Sequence, residues 1–102
     1  MTIEDLQQGV LCVAEQYSEK YDVEIDEDFA ILKLYEEVGE FAQSVLIHRK
    51  KSRPEKHISS EASKDMMANE LADIVCLAIL NAHLLDINLV EAIKNKWLSR
   101  LE

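Results

Sequence analysis

Apolar residues return every three or four positions along almost the whole of this chain, and nowhere do they alternate with polar ones for long enough to make a strand. That periodicity confines the fold to packed helices. Leu6, Val10, Val13, Ala14 and Tyr17 make the first stripe, and Thr2 with Asp5 forms a capping box ahead of it. The acidic, apolar-poor stretch EKYDVEIDED is expected to end that helix. Asp26 or Asp28 can cap a second helix from about Phe29 to about Lys51, with Leu34, Val38, Phe41 and Val45 on its main apolar face. RKKSRPEKHISS is polar, basic and holds the only proline, so it reads as a connector. A third helix is expected from near Ser60 to about Leu85. Asn88 and Glu91 then give a capping box for a short fourth helix on which Leu89, Ile93, Trp97 and Leu101 repeat on one face. The expected fold is all-α, four helices in a single domain over residues 1–102.

Charge and size narrow the partners. A net charge of −9 argues against a sequence-independent grip on a nucleic-acid backbone, which needs Lys and Arg to release counterions, so no nucleic acid is expected. By the same token, an anionic small molecule needs a metal to be accepted. The first basic residue is Lys20, so MTIEDLQQGVLCVAEQ lacks the charged start of a signal peptide. The longest unbroken apolar run, IVCLAIL, is too short to span a bilayer. Cys12 and Cys76 lie in apolar surroundings without CxxC spacing, which predicts buried, reduced thiols. These readings place the chain in the cytoplasm, away from membranes. At 102 residues it is also near the size at which oligomerisation supplies extra burial, and association is expected.

The acidic residues carry the chemistry. Glu37 and Glu40 are three apart on the second helix, and Glu70 and Asp73 three apart on the third, so each pair projects from neighbouring positions on its helix. Facing each other, the two pairs make a four-carboxylate cluster, which persists in a desolvated place only with a cation in it. Oxygen donors without nearby His or Cys favour Mg²⁺, with Mn²⁺ as the substitute, over zinc. On the second helix the glutamates lie largely opposite the main apolar stripe and also suit a solvated face. On the third, Glu70 and Asp73 share their arc with Met66, Leu77, Leu80 and Leu84, in a helix apolar nearly all round. Gly39, unfavourable in mid-helix, marks close approach of another chain or ligand. His48, His57 and His83 show no HExxH spacing, no ExxH pair points to a di-iron bundle, and no GxxxxGK[ST] loop is present.

At these residues the chain resembles a known family. EEVGE (Glu36 to Glu40) followed by ELAD (Glu70 to Asp73) is similar to the EExxE and ExxD motifs of the all-α nucleoside triphosphate pyrophosphohydrolases, the MazG-like group related to dimeric dUTPases. The flanks are similar too: Lys-Leu before the glutamates, Gly-Glu-Phe-Ala, a long apolar run after Asp73, then DINLVEAIKNKW. The likeness spans about Lys33 to Arg100. It implies a MazG-like four-helix bundle, as a homodimer or homotetramer, cleaving (d)NTP to (d)NMP and pyrophosphate with Mg²⁺. It further implies that Glu37, Glu40, Glu70 and Asp73 ligate the metal while Glu36 orients or deprotonates the attacking water. Candidate phosphate contacts are Lys33, Lys96, Arg100 and the basic connector Arg49, Lys50, Lys51, Arg53 and Lys56. Trp97 could stack a base, although its stripe favours core or subunit packing. Two departures stand out: the segment between Glu40 and Glu70 is long for the family, and an asparagine often found after the final lysine is replaced near Arg100. Phosphoribosyl-ATP pyrophosphohydrolase is the nearest alternative, and a non-enzymatic helical interaction module is the alternative of another class.

Overall fold

In the computed structural model, which describes residues 1–102 throughout, Thr2 opens α1 (Ile3–Tyr21) with a reciprocal capping box. The Asp5 amide donates to Thr2 Oγ1 at 3.1 Å and the Thr2 amide donates to Asp5 Oδ2 at 3.0 Å. Asp26 caps α2 (Glu27–His48) by accepting from the Phe29 amide at 2.9 Å, and Ser59 caps α3 (Ser60–Leu84) by accepting from the Ala62 amide at 3.1 Å. Asn88 caps α4 (Leu89–Lys96) through the Glu91 amide at 3.1 Å, without the reciprocal bond of a full box. Short 3-10 turns cover Pro54–Lys56 in the connector and Leu98–Arg100 after α4. The all-α expectation with four helices and no strand is therefore what the chain shows.

α1, α2 and α3 stop without glycine. Asp22, Lys50 and Asp86 take left-handed backbone at φ 52°, 57° and 55°. Beyond each, an amide reaches back five residues: Val23 to the Ser18 carbonyl, Lys51 to Leu46 and Ile87 to Ala82, at 3.1, 2.8 and 2.8 Å. This is the Schellman closure, which satisfies carbonyls the helix end leaves orphaned. It ends α2 at His48, short of the predicted Lys51.

α2 and α3 form an antiparallel hairpin, and α1 lies against α3 on one side of it. The hairpin buries its small side chains most completely. Ala30 and Ser44 are fully buried, Ser63 nearly so. Two polar links cross it: Asn81 Nδ2 donates to the Ala30 carbonyl at 3.0 Å, and His48 Nδ1 meets Ser63 Oγ at 2.7 Å. Because Ser63 Oγ donates to the Ser60 carbonyl at 3.1 Å, His48 is the donor in that pair. Of the predicted main apolar face of α2, Leu34, Phe41 and Val45 are half-buried, and only Val38 is corrected. Val38, assigned to it, is 46% exposed, while Glu37 turns toward α3.

Burial is sparse. Only 6 of 102 residues are buried, and the radius of gyration is 16.2 Å where about 13 Å is usual for a compact chain of this length. Cys12, expected inside, is exposed; Cys76 is half-buried, and both thiols are free. Trp97 is 64% exposed, so it is not core within the chain. α3 as a whole, rather than its unbroken apolar run, is long and apolar enough by composition to cross a membrane, with Glu70 and Asp73 interrupting it.

Candidate metal centre

The antiparallel register of α2 and α3 sets residues 37 and 70 at the same level of the hairpin. Glu36, Glu37 and Glu40 can bring one carboxylate oxygen each within 4.8 Å of one another, and Glu37, Glu70 and Asp73 can do the same. Glu37 belongs to both groups and links the helices into one acidic centre. All four predicted ligands and the predicted base are thus brought together. Glu37, Glu40 and Glu70 are half-buried, whereas Glu36 and Asp73 face solvent.

The electrostatics of the centre are unbalanced. Glu37 Oε2 and Glu70 Oε2 are buried and have no hydrogen-bond donor. Burial pushes the Glu37 carboxyl up from 4.5 to about 8, and the neighbouring Glu70, Glu40 and Asp73 reinforce the push. Buried carboxylate oxygens without a donor are expensive. A hard divalent cation satisfies such oxygens directly, and the donor set, all carboxylate oxygen with no imidazole or thiolate in either group, fits Mg²⁺ or Mn²⁺.

Lys33, one turn before Glu37, is the only predicted cationic contact at the centre. Its Nζ pairs with Glu36 Oε2 at 3.3 Å and lies 5.9 Å from the centre of the Phe29 ring. Side chains 36% and 51% exposed make this a weak pair that an incoming anion can displace. Lys96 and Arg100 are on and just after α4, outside the groove that Lys33, Glu37 and Asp73 line. Arg100 instead packs its guanidinium 5.7 Å from the Trp97 ring centre. The basic connector lies at the far end of the hairpin, where Arg53 pairs with Glu55 at 3.4 Å.

That groove, of about 320 Å³, opens between α1 and the hairpin. Tyr17 and Phe29, with ring centres 6.1 Å apart, form one side of it, and Cys76 and Leu80 lie on α3. Burial, with the Asp73 charge second, raises the Cys76 thiol, so it is an apolar wall rather than a nucleophile. The sequence reading did not connect these residues with the site. Val13 and Tyr17 belong to a stripe that reads as core, yet they are 65% and 40% exposed and line a concavity. Only the placement of α1 beside Glu37 and Asp73 identifies them.

Comparison with protein-family models finds no match, and neither curated protein sequences nor solved structures yield one.

Proposed function

We propose that the chain is a Mg²⁺-dependent nucleoside triphosphate pyrophosphohydrolase, cleaving the bond between the α- and β-phosphates of (d)NTPs to give (d)NMP and pyrophosphate. The observation that carries this reading is the pair of buried, donor-free oxygens on Glu37 and Glu70 within an acidic centre that adjoins an apolar groove. Glu37, Glu40, Glu70 and Asp73 would hold the metal, whose chemistry is to neutralise triphosphate charge and polarise the phosphoryl group. Without it, a protein of net charge −9 repels a triphosphate.

The remaining steps belong to the chain's own residues. Glu36, exposed at the edge of the centre, accepts a proton from a water molecule as that water's oxygen bonds to the α-phosphorus. The bond from that phosphorus to the bridging oxygen breaks, and pyrophosphate leaves with the electron pair. Lys33 exchanges Glu36 for a phosphate oxygen and offsets the leaving charge. Tyr17 and Phe29 offer an apolar seat for the base. Lys33 is the phosphate contact within one chain, since Lys96 and Arg100 lie outside the groove, and the active form in this reading is a homodimer or homotetramer.

The test is Mg²⁺-dependent pyrophosphate release over a panel of ribo- and deoxynucleoside triphosphates together with phosphoribosyl-ATP, with Asp73→Asn as control. Release that vanishes in the variant supports the reading, and a preference for phosphoribosyl-ATP selects the histidine-biosynthetic alternative. The extensive open apolar surface favours a second reading, an interaction module without catalysis. No release from any substrate, with the variant folded like the parent, selects that one.

A further inference from the structure

The apolar run that follows Asp73 on α3, Ile74 to Ala82, holds a single polar side chain, Asn81. Its neighbours Ile79, Leu80 and Ala82 are 5%, 7% and 8% exposed, so the amide stands in a well-buried stretch of the helix. An asparagine there is unfavourable for the helix and costly to bury unless its hydrogens find acceptors. Both hydrogens are satisfied. Asn81 Nδ2 donates to the Ala30 carbonyl across the hairpin at 3.0 Å and to the Leu77 carbonyl one turn back on α3 at 2.7 Å. Two acceptors at one place also fix which way the amide faces, because its oxygen turned that way would meet two carbonyl oxygens.

Both acceptors belong to the walls of the groove. Ala30, fully buried, directly follows Phe29, which lines the groove from α2; Leu77 lines it from α3, as does Leu80 beside Asn81. One amide therefore ties the turn that carries Phe29 to the α3 wall. The only other polar link across the hairpin, His48 to Ser63, lies eleven residues beyond Glu37, about 16 Å along α2. It stands well away from the groove and touches none of its lining residues.

We propose that Asn81 is a positioning residue for the nucleoside seat, touching no substrate itself and acting by holding Phe29 at a fixed gap from Leu77 and Leu80. The substrate side of this inference rests on the pyrophosphohydrolase reading; the width of the groove does not. A seat grips the nucleoside equally before and during the reaction, so its width enters KM and leaves kcat alone. The acidic centre is a separate matter. Glu37 follows Phe29 by eight residues, a little over two turns of α2, and the carboxylates keep their places when the first turn shifts.

Steady-state kinetics and thiol labelling of the full chain test it with Asn81→Leu, which replaces the donor by apolar bulk, and Asn81→Asp, which keeps the shape without the donor. Ser63→Ala, which breaks the distant link, is the control. The two readouts are Mg²⁺-dependent pyrophosphate release from the best triphosphate, and the rate at which iodoacetamide labels Cys76, a groove residue, in a Cys12→Ser background. Both Asn81 variants are expected to raise KM at least about fivefold, the worth of one hydrogen bond, with kcat within about twofold and Cys76 labelled faster. Ser63→Ala is expected to lower the urea midpoint and to leave KM and labelling as in wild type. A fall in kcat at unchanged KM, or a Ser63→Ala variant that raises KM as much, would overturn the proposal. So would loss of helix content by circular dichroism in both Asn81 variants, which makes the amide a tie for the whole fold. If the wild type releases no pyrophosphate, the pyrophosphohydrolase reading falls and labelling alone decides: faster labelling in the Asn81 variants upholds the groove's dependence on Asn81, and unchanged labelling overturns it.

Discussion

Glu37 on α2 and Glu70 on α3 face one another across the hairpin, each with a carboxylate oxygen that is buried and without a donor. Two helices joined by small residues and two polar links hold these groups at one level, where burial and the neighbouring Glu70 raise the Glu37 carboxyl to about 8. In the proposed reading, a divalent ion held by Glu37, Glu40, Glu70 and Asp73 would satisfy both oxygens.

A measurable stabilisation follows. Ligand that binds only the folded state adds about 2.7 kcal/mol at a hundred times its Kd, and a domain of this size gains roughly 4–8 °C per kcal/mol. Saturating Mg²⁺ is thus expected to raise the melting temperature by roughly 10 °C or more. Glu70→Gln should abolish that rise while leaving the metal-free protein at least as stable, because one repelling charge is gone. A melting temperature indifferent to Mg²⁺ and Mn²⁺ would remove the metal site.

The pH dependence of the metal-free protein has a definite sign. Glu37 is raised from 4.5 to about 8, so the folded state holds this proton more tightly than the unfolded state does. Its stabilising contribution is complete below pH 4.5, declines as pH rises, and is gone above about 8. Urea melts in EDTA should show stability falling across that window, and Glu37→Gln should flatten the fall. Mg²⁺ competes with the proton for the same oxygens and should shrink the decline in wild type. Stability rising between pH 5 and 8 in EDTA, at wild-type Glu37, would contradict the assignment of about 8.

Glu36 differs from its neighbours in being exposed and paired only with Lys33. If it takes the proton from water, Glu36→Gln should reduce kcat by about 10²- to 10⁴-fold while keeping the Mg²⁺-dependent rise in melting temperature. Its oxygen also reaches the group formed with Glu37 and Glu40. Loss of both rate and thermal shift in the variant would make Glu36 a ligand instead of a base.

The helices were legible because their beginnings are chemical. Thr2, Asp26 and Asn88 cap where the sequence places caps, and the acidic pairs on helices two and three meet as the spacing suggests. The buried face of α2 was legible only in part, through Leu34, Phe41 and Val45. Apolar periodicity weights bulky residues such as Val38, whereas close approach of two helices selects Ala30, Ser44 and Ser63, which carry almost no hydrophobic signal. The groove escaped for a different reason. A stripe at helical spacing looks the same whether it packs against a neighbour or lines a gap, and only the position of α1 decides between them.

Helix ends without glycine give the final prediction. Lys50 holds φ 57° so that the Lys51 amide can reach the Leu46 carbonyl at 2.8 Å, and α2 closes there only at the expense of a left-handed side-chain-bearing residue. That conformation costs roughly 1–2 kcal/mol for an L-residue other than glycine. Lys50→Gly removes the cost but frees the unfolded chain by roughly 0.5–1 kcal/mol, so the net gain should be on the order of 0.5–1 kcal/mol. Its exposed side chain makes no ion pair within the chain, so the substitution touches little else. Urea denaturation should show a higher midpoint at unchanged slope. A lower midpoint for Lys50→Gly, with Lys50→Ala close to wild type, would mean that the connector does not hold the left-handed closure in solution.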